Sequence, residues 1–101
     1  MIDVAVEFGR RLNIPVAKKL AVDDDFIVLP DYYEASKTHQ HGNLFRISAD
    51  GALVWTISLA GNDLVTNVEW RAGNLIAWTW GCSMITIDKS NGTVLDSVFA
   101  K

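Results

Sequence analysis

The stretch LFRISADGALVW, residues 44–55, has a counterpart in MITIDKSNGTVL, residues 84–95. In each, an apolar-alternating run enters a turn at Asp50-Gly51 or Asn91-Gly92, and a second alternating run leaves it. Period-two alternation marks a half-buried strand, and Asp-Gly and Asn-Gly accept the left-handed backbone that a tight hairpin demands. Two such hairpins about forty residues apart point to an internal repeat.

Working outward, Leu53, Trp55, Ile57 and Leu59 take one face of the return strand, while Val54, Thr56 and Ser58 take the other. Turn signals at Gly61-Asn62-Asp63, Ala72-Gly73-Asn74, Gly81 and Ser90-Asn91-Gly92 separate strands over 64–71, 75–80, 82–88 and 93–99. Strands at this spacing form a four-stranded antiparallel meander. The preceding residues give the same pattern, with strands near 16–21, 26–33, 43–48 and 52–58 and an insert over 34–41 in the second connection. Ahead of them, Val4, Val6 and Phe8 alternate as in a strand. A helical face through Ile2, Ala5, Val6 and Leu12 is the rival reading, limited by Gly9 and Pro15. The expectation is one all-β domain: an N-terminal strand in 1–14, a first four-stranded unit over 15–60 and a second over 61–101.

The units resemble blades of a WD or quinoprotein-type β-propeller. Gly51-Ala52-Leu53-Val54-Trp55 reproduces the Gly-x-x-x-Trp end of such a blade, and Asp88 with Gly92 reproduces the Asp and Gly of the same pattern. Ser48 stands where the first unit would carry Asp, and Leu95-Asp96 where the second would carry Trp. The resemblance implies a binding platform rather than an activity. Propellers use four to eight blades, so two units must pack as a small sandwich or partial barrel, or complete a ring by self-association.

Composition bounds the function. The chain has 101 residues, half of them apolar, a net charge of −3 and a pI near 5.1. Its nine Lys and Arg are scattered, which disfavours nucleic acid as a partner. A single cysteine, Cys82, excludes an intrachain disulfide and is expected to be a buried structural thiol. No apolar run reaches the ~20 residues of a membrane span, and the N-terminal residues lack signal-peptide character. A cytoplasmic protein is expected.

Gly-x-Ser-x-Gly, phosphate-cradling glycine and His-Glu-x-x-His motifs are absent from the sequence, so no enzyme and no cofactor is expected. Asp23-Asp24-Asp25 lacks calcium-loop spacing and is read as a turn. His39 and His41 alternate in the longest loop, but a zinc site would need further ligands, so no metal is assigned. The same loop carries Asp31, Tyr32, Tyr33 and Glu34, two tyrosines flanked by acids, as recognition surfaces do. Asp31, Tyr32, Tyr33, Glu34, His39 and His41 are therefore the candidate binding residues. Trp78 and Trp80 share a strand face with Ile76 and are read as core.

These readings favour a non-enzymatic protein-interaction module with an unidentified protein partner. Its acidity suits an inhibitor or immunity-type partner of a basic protein. The alternative is a carbohydrate-binding propeller formed by self-association of two-blade chains.

Overall fold

Both hairpins form where the turn residues place them. In a computed structural model, which describes residues 3–38, 42–59 and 63–99, β1 (Val16–Val22), β2 (Asp25–Pro30), β3 (Phe45–Ile47) and β4 (Leu53–Thr56) make one antiparallel sheet in that order. A second sheet follows from β5 (Val65–Arg71), β6 (Asn74–Thr79), β7 (Ser83–Ile87) and β8 (Val94–Phe99), again in chain order. The two four-stranded meanders repeat even in their irregularities. Register shifts fall at Val16/Lys18 and Val65/Asn67 in the opening hairpins, and at Arg46/Ile47 and Thr86/Ile87 in the closing ones.

The sheets pack face to face over one core. Val22, Ile27, Leu29, Leu44, Trp55 and Ile57 from the first unit meet Val65, Val68, Leu75, Ala77, Ile85 and Ile87 from the second. Two indoles cross between the sheets and donate to backbone carbonyls: Trp55 Nε1 to Lys89 O at 2.7 Å and Trp70 Nε1 to Ala21 O at 3.0 Å. An apolar ring is thereby buried with its one polar atom satisfied. Arg46, nearly enclosed, donates twice to the Asp25 carboxylate and once, at 2.8 Å, to the same Lys89 carbonyl. The β7–β8 turn is thus clasped from the opposite sheet. Gly92 closes this turn at φ +78°, and a Cβ there would lie 2.7 Å from the Trp55 ring. The turn dipeptide therefore serves packing as well as backbone conformation.

The N-terminal segment corrects the expectation of a strand. Val4–Leu12 is helix α1. The Asp3 carboxylate accepts from the Ala5 and Val6 N–H groups at 3.0 and 3.2 Å, satisfying donors that the first turn leaves unpaired. At the other end Asn13 is left-handed (φ 59°), its N–H reaches Arg10 O, and Ile14 N–H reaches Gly9 O. This is a Schellman stop, with Pro15 just beyond it. Ala5, Phe8 and Gly9 are buried and Val6 is exposed, which is a helical period and breaks the alternation of Val4, Val6 and Phe8. The buried face lies on the outer face of the first sheet, against Val28, Phe45 and Ile47, with the Phe8 and Phe45 rings edge to face at 5.1 Å. Gly9 permits this seat, because a Cβ there would meet Ile14 O and Val16 Cγ2 at 2.8 Å.

The Asp3 carboxyl is held below its ordinary range, chiefly by the hydrogen bond from Lys19 and next by the Val6 N–H. A depressed carboxyl contributes stability above its unfolded pKa and loses it as pH falls through the folded value. Asp3→Asn, which keeps a capping oxygen but no charge, is expected to have a lower urea midpoint than the parent near pH 7. The gap should close by about pH 2, where both are neutral. A gap that is independent of pH would show that the charge contributes nothing.

Candidate interaction surface

One end of the two sheets gathers the β2–β3, β4–β5 and β6–β7 connections, and the sequence places its candidate residues there. Residues 31–44 join β2 to β3, whereas residues 80–82 join the equivalent β6 to β7, so the repeat is asymmetric at this point. The long connection opens with a helical turn, α2 (Tyr32–Ala35), where extended tyrosines were expected. Asp31 causes this. Its carboxylate accepts the Glu34 N–H at 3.0 Å, and its own N–H donates to Pro15 O at 2.8 Å. Ala35 is fully buried beneath the turn. Asp31 is thus a cap rather than a presented acid, and Glu34 pairs with Lys37 at 3.2 Å.

Tyr32 and Tyr33 are left facing outward. The Tyr32 ring stacks on Trp80, with centroids 5.8 Å apart and planes 20° from parallel. Tyr33 is 62% exposed, and Lys37 Nζ lies 5.0 Å from its ring centre. Trp80, 66% exposed, leads the short turn after β6. That turn is pinned from several sides. Trp80 N–H donates to Leu64 O at 2.8 Å, Gly81 N–H to Asp63 Oδ1 at 2.8 Å, and Ser83 N–H to the buried Thr79 hydroxyl at 3.2 Å. Neither aromatic carrier is a free loop, so both rings are presented at little further entropic cost.

The core reading of Trp78 and Trp80 is therefore corrected. Trp78 lies on the outer face of the second sheet, half-buried under the Arg71 guanidinium at 4.9 Å, and Trp80 stands outside the strand. The core role falls instead to Trp55, which is buried, with Trp70 partly buried against the same core. Cys82 is also displaced from expectation: it sits in the turn at φ +65° and is exposed. His39 and His41 lie outside the described residues. Among the described residues no group of three or more His, Cys, Asp or Glu is placed to hold a metal.

Asp63 connects this aromatic surface to a cleft of about 340 Å³ between the sheets, lined by Ser58, Leu59, Asp63, Thr79, Ser83 and Ser97 among others. Hydroxyl groups and one carboxylate dominate its polar lining. Asn43, which the sequence places at the start of a strand, is the polar residue least visible beforehand. It is wholly buried, donates Nδ2 to Val65 O at 2.8 Å and accepts Val65 N–H at 2.8 Å. Its amide joins the loop before β3 to the first residue of β5 and so locks the two sheets at this end.

Residues 5–99 match the family model described as Domain of unknown function (DUF7957). The chain belongs to that family. No curated protein matches it. Among solved structures, the crystal structure of the computationally designed Ika8 protein is similar in fold, with a TM-score of 0.60 at 9% identity over 85% of this chain. The chain spans about a quarter of that designed protein, 24% of its length. Among the described residues no helix is long and apolar enough to cross a membrane.

Proposed function

We propose that this member of the DUF7957 family is a non-enzymatic protein-binding module whose contact surface centres on Tyr32, Tyr33 and Trp80. The observation that carries the reading is the exposed Tyr32–Trp80 stack, brought together from two connections that capping and turn hydrogen bonds hold, with Tyr33 exposed in the same helical turn as Tyr32. Rigid aromatics with an apolar body and a polar tip are the residues that anchor protein interfaces. The net charge of −3 suits a basic partner, as an inhibitor or immunity-type protein would meet, and a cytoplasmic setting belongs to the same proposal.

The test is affinity capture with the parent chain, followed by dissociation constants for each captured protein. Trp80→Ala with Tyr33→Ala is expected to weaken a true partner by about 30-fold or more while leaving the thermal midpoint in place, since both side chains are exposed. Equal affinity of parent and double variant would overturn the reading.

A carbohydrate-binding alternative is favoured by one observation, the hydroxyl- and carboxylate-lined cleft that shares Asp63 with the Trp80 turn. It predicts a blue shift of Trp80 emission on titration with oligosaccharides, abolished in Trp80→Phe. The ring form of that alternative meets an obstacle, because α1 fills the outer face of the first sheet, where a neighbouring blade would pack.

A further inference from the structure

We infer that β8 is a docking edge for a second copy of this chain, paired antiparallel about a two-fold axis at Ser97. A sheet edge presents unpaired N–H and C=O groups, and monomeric proteins blunt it with Lys, Pro or cover. The four edges here differ. β1 begins beside Pro15, carries Lys18 and Lys19, and runs along β5, joined to it by Lys18 Nζ to Asn67 Oδ1 at 3.2 Å and by Trp70 to Ala21 O. β4 is short, and its Trp55 is buried across the β7–β8 turn. β8 alone is six residues long with no Lys, no Pro and, among the described residues, no covering element, and it exposes Leu95 at 62%, Val98 at 49% and Phe99 at 70%. Three large apolar side chains on one open edge are a surface that a partner covers.

The pattern of that strand points to itself as the partner. Val94 and Leu95 precede, and Val98 and Phe99 follow, a polar centre of Asp96 and Ser97. Pairing with β7 sets the faces: Ser97 and Phe99 lie with Ile85 and Ser83, and Asp96 and Val98 with Thr86 and Met84. Opposed residues of an antiparallel pair share a face, so a two-fold must pass through a residue rather than between two. An axis at Asp96 would oppose two carboxylates, which is destabilising. An axis at Ser97 sets Ser97 opposite Ser97, Asp96 opposite Val98 and Leu95 opposite Phe99, separates the acids and pairs the strand over most of its length. The contact is isologous and closes at two chains. It leaves α1 seated, and it joins the two second sheets into one of eight strands. A single strand pair is a small interface, so the affinity should fall in the micromolar range.

Analytical ultracentrifugation of the parent chain over a micromolar to millimolar series is expected to show monomer and dimer in exchange. Val98→Glu sets a new carboxylate opposite Asp96 of the second copy and should yield monomer with an unchanged thermal midpoint. Adding Asp96→Lys to it should restore the dimer through the opposite charges. In a Cys82→Ser background, Ser97→Cys should oxidise to a disulfide-linked dimer, because opposed Cα atoms are about 4.5–5.5 Å apart. A parent chain that stays monomeric throughout the series would overturn the inference. So would a dimer that survives Val98→Glu and forms no disulfide through Ser97→Cys.

Discussion

Asn43→Leu is expected to lower the unfolding free energy by about 3 kcal/mol, the cost of stranding two buried backbone groups at ~1–3 kcal/mol each. Val65 is fully buried, and the Asn43 amide satisfies both its N–H and its C=O at 2.8 Å. Leucine matches the size of the site but provides neither partner, and the interior admits no easy substitute. For a domain of this size the loss corresponds to a fall in Tm of about 12–24 °C. Asn43→Asp separates the two bonds. It retains an acceptor for Val65 N–H but replaces the donor to Val65 O with a buried charge. Burial raises a carboxyl pKa, so this variant should be the less stable at neutral pH and should recover partly in acid, where a protonated carboxyl can donate. Urea titrations at about pH 7 and about pH 4 measure both effects. An Asn43→Leu variant within ~0.5 kcal/mol of the parent would show that the amide bridge is not what joins the sheets. The consequence reaches the binding surface, because Leu64, next to Val65, receives the Trp80 N–H.

Phe8→Ala is expected to cost about 3 kcal/mol, at the low end for removing a buried phenylalanine. The ring is buried between α1 and the first sheet, edge-on to Phe45 and beneath the Arg11 guanidinium at 5.3 Å. The loss is capped by the docking energy of α1, since the helix can detach before the two-sheet core opens. Amide exchange should therefore rise across Val4–Leu12 while Ile85 and Ile87 stay protected, separating local release from global unfolding. Detachment also uncovers Val28, Phe45 and Ile47, an apolar face that a second sheet can cover. The variant should accordingly self-associate more strongly than the parent in ultracentrifugation, even when Val98→Glu is present. Uniform loss of protection across all strands would instead make α1 part of the core's cooperative unit.

Much of the sheet architecture was legible because its signals are local. Alternation over Phe45–Ile47 and Ser83–Ile87 and the turns at Gly51 and Gly92 depend on residues within a few positions of one another. α1 was not legible, because residues 4–12 satisfy both periods, and the contact that decides between them lies on the first sheet at Val28 and Phe45. The tryptophans failed for the same reason. Period two shows that Trp78 and Ile76 share a face but not which face meets the other sheet, and it is the inner one, with Leu75 and Ala77. In the candidate surface, Tyr32 and Tyr33 were readable as aromatics on the longest insertion. Their neighbour Trp80 is distant in the chain, and only the packing of the first sheet on the second brings it across. Asp31 and Glu34 read as presented acids because an N-cap and an i,i+3 ion pair resemble an acidic patch until the helical turn is seen.

By itself, then, the sequence determined the eight strands, their hairpin pairing and the asymmetry of the repeat, because backbone pairing in a meander follows from periodicity and turn chemistry close at hand. Tertiary structure alone decided which faces turn inward, that a helix seals the outer face of the first sheet, and that Tyr32 stacks on Trp80. Those outcomes rest on burial and satisfied hydrogen bonds between residues far apart in the chain, for which no local pattern carries a signal.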